Sequence, residues 1–173
     1  MRERMKYLII AISLVALFSC GQNKKISSTN PVNWEARTIN LPKEDSLHHG
    51  TTYLPVYSEV YQSNENKTYP LTVTVSIRNM NPQDTIYILN ARYFNSAGHQ
   101  IRSYFDKPIY LAPLETIDIV IDEGDKEGGT GANFIFDWAI ENNDIEPLFE
   151  AVMISTTGQQ GLSFITKGIK ISK

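Results

Sequence analysis

One stretch near the middle of the chain constrains its fold more than any other. Leu71, Val73, Val75 and Ile77 alternate strictly with Thr72, Thr74, Ser76 and Arg78, the period of a β-strand with one dry face and one wet face. Burying the four apolar side chains is worth about 1.5–3 kcal/mol each against full exposure. A slip of one residue would turn that whole face to water, so the register is well specified. Asn79-Met80-Asn81-Pro82-Gln83-Asp84 then gathers turn residues, and Thr85 to Leu89 resumes a β-branched and aromatic run. The stretch from Tyr69 to Ile101 therefore predicts two strands joined by a hairpin or a sandwich corner.

The same period recurs along the chain. Thr51 to Gln62 alternates with Tyr53, Tyr57 and Tyr61 on one parity and Leu54, Val56 and Val60 on the other, so its core side is open; Pro55, lacking an amide hydrogen, suits an edge or a bulge. Ser63 to Lys67 reads as a polar loop. Ala91 and Tyr93 fall on the opposite parity to Ile86 and Ile88, which a β-bulge near Asn90 would reconcile. Asn95 to Gly98 is a turn signal, Gln100 to Tyr104 a short return strand, and Ile109 to Leu111 an edge-type segment between two prolines. Thr116 to Asp122 sets Ile117, Ile119 and Ile121 on one face, and Phe134, Phe136 and Trp138 share another. Leu148 to Ser155 and Gly161 to Ile171 read as the last two strands, the former with Ala151 and Met153 on one parity and Val152 and Ile154 on the other. About eight strands at this spacing, with no helical periodicity, predict an all-β fold: an immunoglobulin-like antiparallel β-sandwich, with closure into a barrel as the alternative.

The chain has 173 residues and is 42% hydrophobic, enough for one packed core and one domain. Arg2, Arg4 and Lys6 precede an apolar run from Tyr7 to Phe18, the charged and greasy halves of an export signal, too short to span a bilayer as a mature helix. The single cysteine, Cys20, follows Leu17-Phe18-Ser19; this resembles the lipobox of bacterial lipoproteins, with Phe18 bulkier than the usual residue. The resemblance implies cleavage before Cys20, acylation of that cysteine, a membrane partner and a mature chain with no second thiol. Removing residues 1–19 moves the formal charge from −3 to −5, which leaves no electrostatic case for nucleic acid. Gly21 follows the cysteine and no acidic residue appears until Glu35; by resemblance to lipoprotein sorting rules this implies an outer-membrane position facing the periplasm. Gly21 to Asn33 is polar and reads as a flexible tether, Trp34 to Pro42 as an arm able to dock, and Lys43 to Gly50 as loop. The expected division is therefore a signal peptide at residues 1–19, tether and arm at 20–50, and a sandwich at 51–173.

Tyr53-Leu54-Pro55-Val56-Tyr57-Ser58, the Asn79 turn, Gly128 to Phe134, Glu150 to Met153 and Gly161 to Phe164 together resemble an uncharacterised bacterial family among the domains of unknown function, DUF3124, over Thr51 to Ile171. The resemblance implies a secreted or lipid-anchored single domain and brings no assigned activity.

Two places carry candidate sites. Asp122 to Asn133 holds four glycines and four carboxylates. Asp122, Asp125 and Glu127, with Glu123, are oxygen ligands suited to a hard cation such as calcium, although their spacing fits no EF-hand and a solvated acidic loop is the competing reading. Tyr53, Tyr57 and Tyr61 would form a row suited to stacking on a sugar or an extended peptide, against the alternative of a covered sandwich face. His48, His49 and His99 read as exposed loop residues rather than ligands, and Asn66-Lys67-Thr68 as a surface loop. No Gly-x-Ser-x-Gly elbow, cysteine–histidine pair or phosphate loop is present, and no cofactor is called for. The expectation is a non-catalytic, lipid-tethered binding or scaffolding module whose partner is an envelope protein or glycan. A carbohydrate- or peptide-binding module using the tyrosines and a calcium-dependent hydrolase using the acidic loop are the alternatives.

Overall fold

The computed structural model describes residues 32–42, 46–141, 145–156 and 161–172. Cys20, the signal segment, most of the tether and the tip of the Asn142–Pro147 turn lie outside them. Two antiparallel sheets face each other. The first runs β12 (Ile169–Ser172), β1 (His48–Val56), β9 (Ala132–Ile140), β5 (Ile86–Phe94) and β6 (Gln100–Ser103), with β7 (Ile109–Leu111) also on β5. The second runs β11 (Leu162–Lys167), β10 (Leu148–Ser155), β4 (Thr72–Arg78) and β8 (Thr116–Ile121), and β2 (Glu59–Gln62) with β3 (Asn64–Pro70) forms a separate ribbon. The sheets do not close on one another, so the fold is a sandwich and not a barrel.

The alternating side chains do what their period requires. Leu71, just before β4, is fully buried, as are Val73, Val75 and Ile77 on β4, which lie opposite Ile121, Ile119 and Ile117 of β8 and Met153, Ala151 and Phe149 of β10. Between the sheets Tyr93, Phe134 and Phe136 stack in series, centroids 4.8 and 5.4 Å apart, and Phe149 of the second sheet continues the stack 4.4 Å from Phe136. The bulge falls where the parity break predicts: β5 pairs Ile88 with Trp138 and then Asn90 with Asp137, leaving Leu89 out of the ladder.

β4 and β5 lie in different sheets, so the turn between them is a corner. Asn79, 3% exposed, ties it: its Nδ2 donates to the carbonyls of Asp84, Leu111 and Ala112 at 2.8, 3.2 and 2.9 Å, and its Oδ1 accepts from Asn81 N at 2.9 Å.

Twelve strands appear among the described residues, against about eight expected. Ser63 to Lys67 is not a loop: β3 covers most of it, and its polar side chains, exposed from Asn64 to Lys67, leave no pattern to read. Thr51 to Gln62 breaks at Tyr57-Ser58 into β1 and β2. Gly161 to Ile171 breaks at Gly168, where the chain crosses from one sheet to the other; a Cβ there would stand 2.6 Å from Thr52 Cγ2. β1 starts at His48, so the histidine pair sits on a strand rather than in a loop, with both residues still exposed. Pro55 pairs with Asn133 of β9 but lies past β12, which pairs only Thr51 to Tyr53, so it stands at a local edge of the first sheet, as its missing amide hydrogen suits.

The arm docks. Trp34 packs on Phe105 at 5.3 Å, Ile39 N donates to Pro108 O at 3.0 Å, Thr38 bridges Ile109, and Arg37 Nη2 donates to Glu115 Oε1 at 2.6 Å. Among the described residues no helix is long and apolar enough to cross a membrane.

Candidate functional site

The acidic glycine-rich loop leaves β8 and turns back on itself. Asp122 Oδ1 accepts from Gly124 N at 2.8 Å, and Asp125 N donates to Asp122 O at 2.9 Å. Asp125 is then carried inward, 5% exposed, where Arg102 Nη2 on β6 donates to its Oδ2 at 2.6 Å and to Glu127 Oε2 at 3.1 Å. The Arg102 guanidinium lies 5.5 Å over the Tyr93 ring. Burial works against its charge, but the bonds to Asp125 and Glu127 and the nearby acidic groups outweigh it, and its pKa is raised. Burial pushes the Tyr93 phenol up, with Asp125 adding to the effect. It also pushes Tyr104 up to about 12, against the pull of Arg102.

The loop carbonyls are occupied as well. Gly128 O accepts from Ser96 N and Oγ at 3.0 and 3.1 Å, Gly129 O accepts from Ser58 N and Oγ at 3.2 Å each, and Ser96 Oγ accepts from Gly131 N at 2.8 Å. Gly128 has a steric reason to be glycine, since a Cβ would meet the Tyr93 hydroxyl at 1.9 Å. Of the three proposed ligands, Asp125 and Glu127 thus both meet Arg102, while the Asp122 carboxylate accepts from Gly124 N. Among the described residues no group of three or more His, Cys, Asp or Glu side chains is arranged to hold a metal ion.

The tyrosine row is divided. Tyr53 stands half-buried on the outer face of β1, opposite Ile135 on one neighbour and Ile169 on the other. Tyr57 lies in the connector after β1, half-buried with its ring edge-on to Phe164 at 5.7 Å. Tyr61 sits on the β2–β3 ribbon, 62% exposed and paired with Thr68. Two of the three therefore border the C-terminal strands and the third does not join them. His99 occupies the β5–β6 turn, away from the pair on β1.

Those C-terminal strands carry the feature that single-strand reading missed. Val152, Ile154, Leu162, Ile165, Ile169 and Ile171 are 37–63% exposed, six of the nine exposed large hydrophobic residues among the described residues, and all lie on β10, β11 and β12. Val152 pairs directly with Ile165, so the outer face of the second sheet is apolar at its margin. β11 ends that sheet and β12 ends the other, and the two are joined through Gly168. The available signal was apolarity on both parities of Leu148–Ser155: Phe149, Ala151 and Met153 fill the core, leaving Val152 and Ile154 with nothing to cover them. On the far side of the molecule an open cleft of about 430 Å³ runs between the arm and β7, walled by Arg37, Tyr110 and Glu115.

No curated protein matches the chain. Among solved structures, the crystal structure of Thermotoga maritima 1070 is similar over 71% of this chain and 95% of its own, at 7% identity and a TM-score of 0.46. The family model described as a protein of unknown function, DUF3124, matches residues 49–171, starting within β1 and leaving the docked arm outside. That match spans most of the chain, which belongs to the DUF3124 family.

Proposed function

We propose that the chain is a lipid-anchored, non-catalytic module of the bacterial cell envelope. It is held through acylated Cys20 on the periplasmic side of the outer membrane and binds an envelope protein or glycan through its C-terminal edge. The observation that carries this reading is the exposure of apolar side chains on the three C-terminal strands, Val152, Ile154 and Ile165 on one sheet and Ile169 and Ile171 on the other, since exposed apolar side chains at sheet edges mark an interaction surface. Tyr53, facing Ile169 across the β1–β12 pair, adds an aromatic ring to that margin and favours a ligand with an apolar face, such as a sugar ring or an extended peptide. The hydrolase reading is weaker, because Arg102 already holds two of the carboxylates a calcium ion would need.

Full-length protein, Cys20→Ala and Ile169→Lys, each expressed in a native envelope, test this together. Cys20→Ala should leave the detergent phase on phase partitioning. Ile169→Lys should stay in it and lose partners that the parent retains through solubilisation. Cys20→Ala remaining in the detergent phase would overturn the anchor, and identical partners for parent and Ile169→Lys would overturn the edge.

A further inference from the structure

We infer that β11 is the seat of a second copy of this chain, joined strand to strand so that the four-stranded sheets of two molecules become one. Every other sheet margin among the described residues carries a device that discourages pairing. β6 is four residues long and meets β5 through a bulge, β7 has three residues, β8 presents exposed Asp118, β12 is bulged against β1, β2 has four residues and a bulge against β3, and β3 carries Glu65 and Lys67. Short length, bulges and charge are the usual guards of an edge. β11 lacks them. It runs six residues in unbroken register with β10, holds no proline, and has a single charged residue at its end, Lys167, already 3.6 Å from Glu150 of its own sheet.

The sequence of β11 is also complementary to itself. In a two-fold antiparallel pair, directly opposed residues must share a face. Centring the axis on Ile165 satisfies this and sets Ser163 of one copy against Lys167 of the other, so no like charges meet. Ile165, 61% exposed, then lies against its own mate with Val152 behind each, making an apolar row four side chains wide across the seam. Centring on Phe164 would instead face a ring already packed on Tyr57 and leave each Ile165 opposite Ser163. The need to cover Ile165 therefore chooses the register.

A seam of six residues is small beside a standard stable interface, so pairing in solution is concentration-dependent. Confinement to a membrane would raise the effective concentration without any new contact; that clause alone rests on the anchor proposed above.

Full-length protein carrying Ile165→Cys, in membranes and again after purification in mild detergent, tests the register. Mild oxidation should give a disulfide-linked dimer several-fold in excess of that from the parent, whose only cysteine is Cys20, and of that from Thr116→Cys on β8. Ile165→Lys should lower the dimer fraction seen by sedimentation at matched concentration while leaving the circular dichroism spectrum unchanged. Cross-linking no greater than in the two controls, or an Ile165→Lys protein that sediments like the parent, would overturn the dimer. Loss of detergent partitioning with cross-linking intact would overturn the anchor and leave the dimer standing.

Discussion

Gly50 lies directly across the ladder from Trp138, so close that a methyl group on the glycine would stand 2.2 Å from ring atom Cζ2. The indole occupies the space a side chain would take, fixed by its Nε1 donating to Thr52 Oγ1 at 2.9 Å. Overpacking of this kind costs about 1–3 kcal/mol, so Gly50→Ala should lower the denaturation midpoint accordingly. Combining it with Trp138→Phe should cost less than the sum of the two single changes, because the smaller ring removes the clash. Urea titration of the four proteins measures the coupling; strict additivity would show that the glycine is not there for the tryptophan.

Asn79 holds the corner that sends the chain from one sheet to the other, satisfying three carbonyls and one amide with one buried side chain. Asn79→Ala would leave those groups without their partner, at about 1–3 kcal/mol for a buried unsatisfied group. Asn79→Asp should be as harmful, since it keeps the acceptor but puts an oxygen where the donor meets three carbonyls. Thermal melts that rank Asp as mild would contradict this account.

Arg102 is the cation that Asp125 is buried against. Arg102→Met should cost about 1–3 kcal/mol, the range for losing charged hydrogen bonds to a buried acceptor. Glu127→Gln should change stability by less than about 1 kcal/mol, because its side chain is two-thirds exposed. With both carboxylates engaged, millimolar calcium should leave the parent melting temperature unmoved. A rise saturating with calcium would identify the loop as a cation site, since a ligand binding only the folded state stabilises it.

The arm is predicted to release in acid. The hydrogen bond from Arg37 holds the Glu115 carboxyl below its ordinary 4.5, helped by Ala112 N and opposed by burial. A carboxylate with a lowered folded-state pKa contributes stability that is fully present above the unfolded value and disappears as pH falls through the folded one. Docking should therefore be complete above pH 4.5 and weaken below it. Trp34 fluorescence in a Trp138→Phe background reports the change, and Glu115→Gln should remove its pH dependence.

Much of the sandwich was legible because a strand with one buried face writes its period into the sequence. The dry faces of β4, β8 and β9 and the bulge beside Asn90 all follow from parity. The start of β3 was not legible, because Asn64 to Lys67 are polar and exposed on both faces, and neither was the start of β1, where Gly50 looks like a turn residue until Trp138 is seen beside it. In the candidate site, the carboxylates of the acidic loop were visible as residue types, but their partner Arg102 lies more than twenty positions away from Asp125 in the chain, and no local pattern links the two.

Sequence by itself determined the class of fold and the inward side of β4, β5, β8 and β9, since side-chain alternation is a property of neighbouring residues and burial rewards it locally. Tertiary structure decided which strands became neighbours, that Asp125 and Glu127 would share Arg102, and that Ile165 and Ile169 would end the sheets uncovered. Pairing partners and sheet edges arise from contacts between distant segments, and a strand carries the same alternation whether its backbone meets another strand or water.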